Sequence, residues 1–134
     1  MQENKNLTDN KVRRNRLFIL SIAIILIGTM MPSLFIPSPG KIEVKHIDKI
    51  AHYFMFIFFS INICFKYHKD KRLIDVMIWA IFFGLMTEVI QQFIPGRDMD
   101  IYDGITDVVG IISGYYIYHN FQNKIDKILV KFGA

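Results

Sequence analysis

The chain has 134 residues, of which 52% are hydrophobic and 21% are charged, and its formal net charge is +4. Soluble domains carry nearer 25% charged residues. Here the apolar residues fall into four long blocks, which argues against a soluble globular domain and against disorder. One cysteine, Cys64, excludes an internal disulfide framework and a cysteine-based zinc site.

The four apolar blocks predict four transmembrane helices. A helix needs roughly 20 apolar residues to cross the hydrocarbon core, and the first and third blocks supply them. The second is short and the fourth contains two acids. The first block is longer than a signal-peptide core and lacks a cleavage site, so we interpret it as a retained helix that ends in a turn near residues 37–40. The predicted fold is an all-α membrane protein, a small bundle with spans at about 17–36, 50–66, 73–94 and 101–118.

The tail at residues 119–134 is predicted to form an amphipathic helix on the cytoplasmic lipid surface. A solvated helical end is the alternative. Lysines alternate with apolar residues at helical spacing in this segment, and the apolar residues are Phe121, Ile125, Ile128, Leu129 and Phe132.

The distribution of basic residues indicates the orientation. With four spans, residues 1–16, the loop after the second span and the tail share one side, which holds twelve of the sixteen basic residues. The positive-inside rule therefore predicts that both termini are cytoplasmic. The net charge reflects this topology, and no basic–aromatic surface motif accompanies it, so we do not expect nucleic-acid binding.

Ionisable groups gather near the predicted outer ends of three spans. Glu88 and Asp107 lie roughly 9 Å inside the ends of their spans, and His52 lies about 4.5 Å inside its own. Ionisable residues within spans are costly and mark function by default. Pairs spaced i, i+4 share a helix face. The candidate ligand-binding residues are Asp48, His52, Glu88, Gln91, Gln92, Arg97, Asp103 and Asp107.

Two glycines extend the stripe of acids on the fourth span inward. Gly110 and Gly114 have the small-xxx-small spacing that allows two helices to approach closely, so this face is predicted to point into the bundle. Residues 95–100 are too few for a domain and predict a tight outer hairpin. That hairpin places Arg97 over the acids, where a guanidinium can bind a carboxylate or a phosphate with two parallel bonds.

Three interpretations of this polar layer stay open. In an internal clasp, Arg97 and Lys49 neutralise Glu88 and Asp103, and His52 hydrogen-bonds within it. In the second interpretation the layer is a ligand or catalytic site in the outer leaflet, and in the third it lines the bundle without a ligand. No cofactor is predicted, although a divalent metal on the carboxylates is an open option. The catalytic candidates are His52, Glu88 and Asp107, and the metal candidates are Glu88, Asp103 and Asp107.

Three motifs together resemble the VanZ-like family of bacterial membrane proteins, named for a protein linked to teicoplanin resistance. They are D-K-x-x-H at residues 48–52, E-x-x-Q-x-x-x-P-x-R at residues 88–97, and an acid at 103 followed by the two glycines. Asp107 occupies a position where the family usually has Asn, and Asp100 one where Ser or Thr is usual. Both changes add negative charge and favour a cation, a metal or an extra proton at the site.

The resemblance implies a four-helix protein of the bacterial plasma membrane and no settled mechanism. Our first hypothesis is a non-enzymatic factor that binds or acts on a lipid-linked cell-wall precursor or a lipid headgroup, lowering susceptibility to teicoplanin-type glycopeptides. The alternative is a small intramembrane hydrolase or transferase acting on a lipid-linked phosphate or acyl substrate. In it Glu88 or Asp107 is the base, His52 the acid, and Arg97 the phosphate clamp. No G-x-S-x-G or H-E-x-x-H motif is present, which favours the first hypothesis.

Overall fold

The computed structural model describes residues 2–31 and 41–132, with side chains from residue 6 to 31 and from 46 to 132. The predicted all-α fold is confirmed over these residues, which form four helices and no strand. The predicted turn near 37–40 and the end of the first block, 32–36, lie outside the described residues. The helices are α1 (Gln2–Met30), α2 (Lys41–Tyr67), α3 (Leu73–Gln91) and α4 (Ile101–Phe132).

The end of α3 comes earlier than the sequence predicted. The helix stops at Gln91, and the amides of Phe93 and Ile94 then bond to carbonyls three residues back, at 3.0 Å each. Proline removes a donor and disfavours helical geometry in the residue before it, so Pro95 prevents continuation. Gly96 follows with φ of 78°, a left-handed conformation that glycine adopts without a steric penalty. The link to α4 therefore reverses sharply.

The fourth predicted span and the tail form one helix with a bend. Phe121 has non-helical angles, φ −122° and ψ 21°, and beyond it the tail turns across the end of the bundle. Leu129 is buried in a cluster with residues of the other helices, and the Arg13 guanidinium donates to the carbonyl of Val130 at 3.1 Å. Phe132 stays exposed. The tail's apolar stripe is therefore divided between the bundle and its surroundings.

Two of the described helices are long and apolar enough to cross a membrane, at His46–Tyr67 and Leu73–Gln91. Helix α4 does not meet this criterion and carries Asp103 and Asp107 in its first two turns. In α1 the basic N-terminal turns occupy much of the helix, and the apolar block continues past the described residues.

The exposed surface of the bundle is more apolar than that of a soluble bundle, although its interior also holds clusters of buried apolar residues. Soluble monomers rarely expose contiguous apolar patches above a few hundred Å², whereas α3 alone exposes Ile74, Ile78, Trp79 and Phe82 by more than half. Polar groups fill much of the interior. The buried polar and charged residues are Ser21, Thr29, His52, Ser60, Asn62, Thr87, Glu88, Gln91, Asp103 and Asp107.

Close packing of α2 on α4 sets the geometry of the interior. A Cβ added at Gly114 would lie 2.6 Å from the carbonyl oxygen of Ile57 and 2.7 Å from Cβ of Ser60. The Ser60 hydroxyl donates to the carbonyl of Ile111 at 2.6 Å. Gly110 makes a similar close approach one turn along. The two backbones touch along this stripe. Side chains one turn nearer the N-terminal ends of α2 and α4 therefore face each other directly.

Replacing Gly114 by alanine is expected to lower the free energy of unfolding by about 1–3 kcal/mol, the usual cost of overpacking. The added methyl group would collide with the backbone of α2, which cannot rotate away. Gly104→Ala is the matched control, since its Cβ would lie 3.4 Å from Leu85, an ordinary contact. Thermal unfolding in detergent measures both, and equal melting temperatures for the two variants would contradict the close approach.

Candidate functional site

Three ionisable side chains from three helices meet in the interior. His52 of α2 and Asp107 of α4 are fully buried, and Glu88 of α3 is 3% exposed. Nδ1 of His52 lies 3.1 Å from Oδ1 of Asp107 and 3.5 Å from Oε1 of Glu88. We call these three residues the buried cluster.

Several polar atoms of the buried cluster lack a hydrogen-bond partner of normal geometry within the described part of the chain. Among the described residues, no hydrogen-bond partner of normal geometry is found for Nε2 of His52, both Glu88 oxygens or Oδ2 of Asp107. The backbone of Asp100 interacts with the Glu88 carboxylate, and His52 Nε2 faces Oδ1 of Asp48 at 3.9 Å. Buried polar atoms without partners are rare and costly in native proteins. The cluster therefore retains the capacity to accept a donor or a cation.

Two ion-pair groups close the bundle beside the buried cluster, and we call them the capping pairs. Lys49 bonds to Asp103 and, at 3.0 Å, to Asp100. Arg97 donates to Oδ2 of Asp48 at 2.8 Å and to the carbonyl of Gly28 in α1 at 3.0 Å. The α3–α4 link is thereby attached to α1 and α2.

The structure supports only part of the clasp interpretation, because Arg97 pairs with Asp48 and not with Glu88. Arg97 follows the reversal at Gly96, and its side chain extends back toward α1 and α2. Its guanidinium therefore forms an ion pair with Asp48. Lys49 does bond to Asp103. Glu88 is left with the imidazole of His52 as its neighbouring ionisable donor group.

The two glutamines do not join the buried cluster. Gln91 is buried and donates to the carbonyl of Thr29 in α1 at 3.1 Å, while Gln92 is exposed. The early end of α3 explains this, because Gln92 already belongs to the tighter turn that rotates it outward. Six of the eight candidates come together in the buried cluster and the capping pairs: Asp48, His52, Glu88, Arg97, Asp103 and Asp107.

The candidate ligand-binding set missed two residues of the capping pairs. Lys49 follows Asp48 directly in the D-K-x-x-H motif. A lysine at this position was the feature of the sequence that could have predicted a second ion pair beside that of Asp48. Asp100 was visible as an extra acid where the family has Ser or Thr. Together the site holds five carboxylates against Lys49, Arg97 and one histidine, so its formal charge is negative. Such a site attracts cations and hydrogen-bond donors and repels free anions.

An apolar groove has Glu88 among its lining residues, although the Glu88 carboxylate oxygens are themselves buried. It lies between α3 and α4, has a volume of about 420 Å³, and falls within the range of roughly 300–1,000 Å³ common for small-molecule sites. Glu88 is the one charged residue among its lining residues. The others are Leu85, Val89, Met99, Ile101, Gly104, Ile105, Val108 and Val109.

The cluster geometry permits two kinds of chemistry. The 3.1 Å contact between His52 and Asp107 orients the imidazole, as acid–base catalysis requires. One ligand atom from each of the three residues also lies within 4.8 Å of the other two, which suits a metal ion. Asp103, a predicted metal candidate, instead bonds to Lys49.

Comparison with known proteins gives two matches. A family model described as VanZ/LLP1 matches residues 3–122, which include the buried cluster and the capping pairs. An uncharacterized protein of Schizosaccharomyces pombe is 23% identical over 116 residues, covering 82% of this chain and 68% of that protein. No solved structure matches the chain.

Proposed function

Since this chain belongs to the VanZ/LLP1 family, we propose that it is an integral membrane protein that binds an amphiphilic component of the cell envelope at the buried cluster. The observation that carries this proposal is the apolar groove between α3 and α4, whose lining includes one charged residue, Glu88 of the buried cluster. An apolar groove beside a buried polar cluster matches a molecule with an apolar tail and a polar head that reaches the Glu88 carboxylate when it binds.

The charge of the site determines which polar group fits. Among the described residues, Oδ2 of Asp107 has no hydrogen-bond partner and the Glu88 oxygens have none of normal geometry, and such acceptors pair with hydroxyl, amide or ammonium groups. Arg97 already bonds to Asp48 and to Gly28, so it is not free to clamp a phosphate. We infer an amphiphile whose donor-bearing head lies at Glu88, with the tail along Val108.

The same proposal includes four spans with both termini in the cytoplasm, so that the buried cluster lies in the outer leaflet. Single cysteines at Lys69 and Met99 in a Cys64→Ala background test this with an impermeant maleimide on intact cells. Both sites are exposed, so access depends on the side of the membrane. We expect labelling at position 99 alone, and labelling at position 69 alone would reverse the orientation.

Copurification tests the binding proposal directly. We expect native mass spectrometry of the protein in mild detergent to show a retained amphiphile. Val108→Phe fills the groove and should remove it. Ile112→Phe is the matched control, one turn along α4, exposed and outside the groove lining, and should retain it. An unliganded wild type, or equal retention in both variants, would contradict the proposal.

A second candidate function is supported by the contact between His52 and Asp107. An imidazole held by a carboxylate, with Glu88 3.5 Å away, resembles an acid–base pair. The protein would then cleave an ester of the bound amphiphile. Glu88 would take the proton from water and His52 would give one to the leaving group. Release of a smaller product from the copurified amphiphile over time would favour this reaction, and an unchanged mass would favour binding alone.

The family resemblance suggests a more specific role. We propose that binding at the outer leaflet reduces the accumulation of teicoplanin-type lipoglycopeptides, which carry their own apolar tail. The effect on vancomycin should be smaller.

A further inference from the structure

We propose that His52, Glu88 and Asp107 bind one divalent transition-metal ion of the zinc class. This goes beyond the proposed function, because protein atoms alone would hold the ion: Nδ1 of His52 and one oxygen each of Glu88 and Asp107. The second oxygen of each carboxylate stays available to the head of the amphiphile. The three side chains come from three different helices, so the ion would also connect α2, α3 and α4.

Two of the three distances between the ligand atoms match those around a bound metal ion. Zinc binds imidazole nitrogen and carboxylate oxygen at about 2.0–2.2 Å. Two ligand atoms at such distances lie about 3.0 Å apart in octahedral and about 3.4 Å apart in tetrahedral coordination. Nδ1 of His52 is 3.1 Å from Asp107 and 3.5 Å from Glu88, close to these spacings. The ligand atoms of Glu88 and Asp107 lie within 4.8 Å of each other.

The unpartnered atoms provide an independent argument. Both oxygens of Glu88 and Oδ2 of Asp107 are buried without a normal hydrogen bond, although the Asp100 backbone approaches Glu88. The nearby cations, Lys49 and Arg97, bond to other acids. Two buried carboxylates beside one imidazole carry excess negative charge, and a divalent ion compensates it.

The surroundings of His52 also suit a metal ligand. A metal-bound histidine typically directs its other ring N–H at a carboxylate. If Nδ1 binds the ion, Nε2 carries the proton, and it faces Oδ1 of Asp48 at 3.9 Å. Asp48 is itself fixed by Arg97 at 2.8 Å. The i, i+4 spacing of the D-K-x-x-H motif thereby places a carboxylate on the Nε2 side of the ligand, at 3.9 Å and so beyond direct hydrogen-bond distance.

The mixed ligand set decides the class of metal. Mg²⁺ and Ca²⁺ prefer oxygen ligands throughout, whereas an imidazole nitrogen with carboxylates suits Zn²⁺ and its first-row neighbours. Zinc is therefore the probe to use, with magnesium as the comparison ion.

Equilibrium dialysis of the purified full chain in detergent, after chelator treatment, tests the site. We expect one Zn²⁺ per chain, a higher melting temperature with Zn²⁺ than without, and little response to Mg²⁺. Glu88→Gln, Asp107→Asn and His52→Gln should each weaken Zn²⁺ binding by more than the roughly 10–100-fold typical of outer-shell losses.

Two control variants separate this site from surface binding. Asp75→Asn removes an exposed acid of α3, and His119→Ala removes an exposed imidazole of α4, so both should bind Zn²⁺ as the wild type does. The d–d absorption bands of Co²⁺-loaded wild type should differ from those of aqueous Co²⁺. This measurement uses the wild type alone, so it does not depend on whether any variant folds. The proposal is overturned if the wild type takes up less than one Zn²⁺ per chain, or if the three ligand variants bind Zn²⁺ as tightly as the wild type does. The dialysis contains no added lipid, so its failure leaves the amphiphile proposal standing.

Discussion

Arg97→Ala is expected to lower the free energy of unfolding by about 3 kcal/mol, near the lower end of the range for broken buried ion pairs. Arg97 is 8% exposed and its partner Asp48 is 26% exposed, so water relieves part of the loss. The variant would lose the bond to Asp48 and the bond to the carbonyl of Gly28, which attach the α3–α4 link to α2 and α1. The melting temperature should fall by roughly 10 °C.

Arg72→Ala is the matched control for this prediction. Arg72 forms the same kind of pair with Asp70, at 2.8 Å, but on the exposed loop between α2 and α3. The Arg72 guanidinium lowers the pKa of Asp70 to about 2, yet exposed pairs contribute little to stability because water screens them. The melting temperature of Arg72→Ala should stay near that of the wild type. An equal loss in the two variants would mean that the capping pair of Arg97 has no special structural role.

The double variant Asp48→Asn with Arg97→Ala separates the loss of the ion pair from the cost of leaving the Asp48 carboxylate without a cation. Most of the cost of Arg97→Ala should come from leaving the Asp48 carboxylate without its cation. Neutralising Asp48 removes that charge, so the double variant should regain part of the stability lost in Arg97→Ala. A double variant less stable than Arg97→Ala would show that Asp48 has a further partner that matters more.

Glu88→Gln is expected to return a susceptible Gram-positive host expressing this protein to the teicoplanin sensitivity of the empty vector. Glutamine keeps the size of the side chain but removes the one charge among the residues that line the groove. Wild type should raise the minimal inhibitory concentration of teicoplanin more than that of vancomycin, and should reduce the binding of fluorescent teicoplanin to cells.

Asp75→Asn is the control for the phenotype, since it neutralises an exposed acid of the same helix. It should keep the full tolerance of the wild type at equal membrane levels. Equal drug binding in wild type, Glu88→Gln and empty vector would remove the resistance role. The binding proposal would then apply to an envelope or lipid role unrelated to antibiotics.

Helical spacing was enough to place the main residues on their helices. The apolar blocks predicted the four helices, and the i, i+4 acids with Gly110 and Gly114 indicated one face of α4. The distance of each residue from the end of its predicted span placed His52, Glu88 and Asp107 at similar depths in three helices. Depth along a helix depends only on a constant rise per residue, so a sequence contains that information.

The pairing of charges could not be predicted in the same way. It depends on how the helices rotate against one another and on the path of the link, neither of which is periodic in sequence. Gly96 reverses the chain and sends Arg97 to Asp48 rather than to Glu88. Pro95 and the tight turn before it end α3 early, which leaves Gln92 outside. A groove between α3 and α4 depends on the same rotations.

Photocrosslinking at the groove tests the central claim most directly. A photoreactive amino acid at Val108, and another at the exposed Trp79 of α3, would be activated in native membranes and the adducts identified by mass spectrometry. We predict one dominant amphiphile at position 108, lost in Glu88→Gln, and the mixture of bulk membrane lipids at position 79 in both backgrounds. The same bulk mixture at both positions, unchanged by Glu88→Gln, would contradict a specific site in the groove.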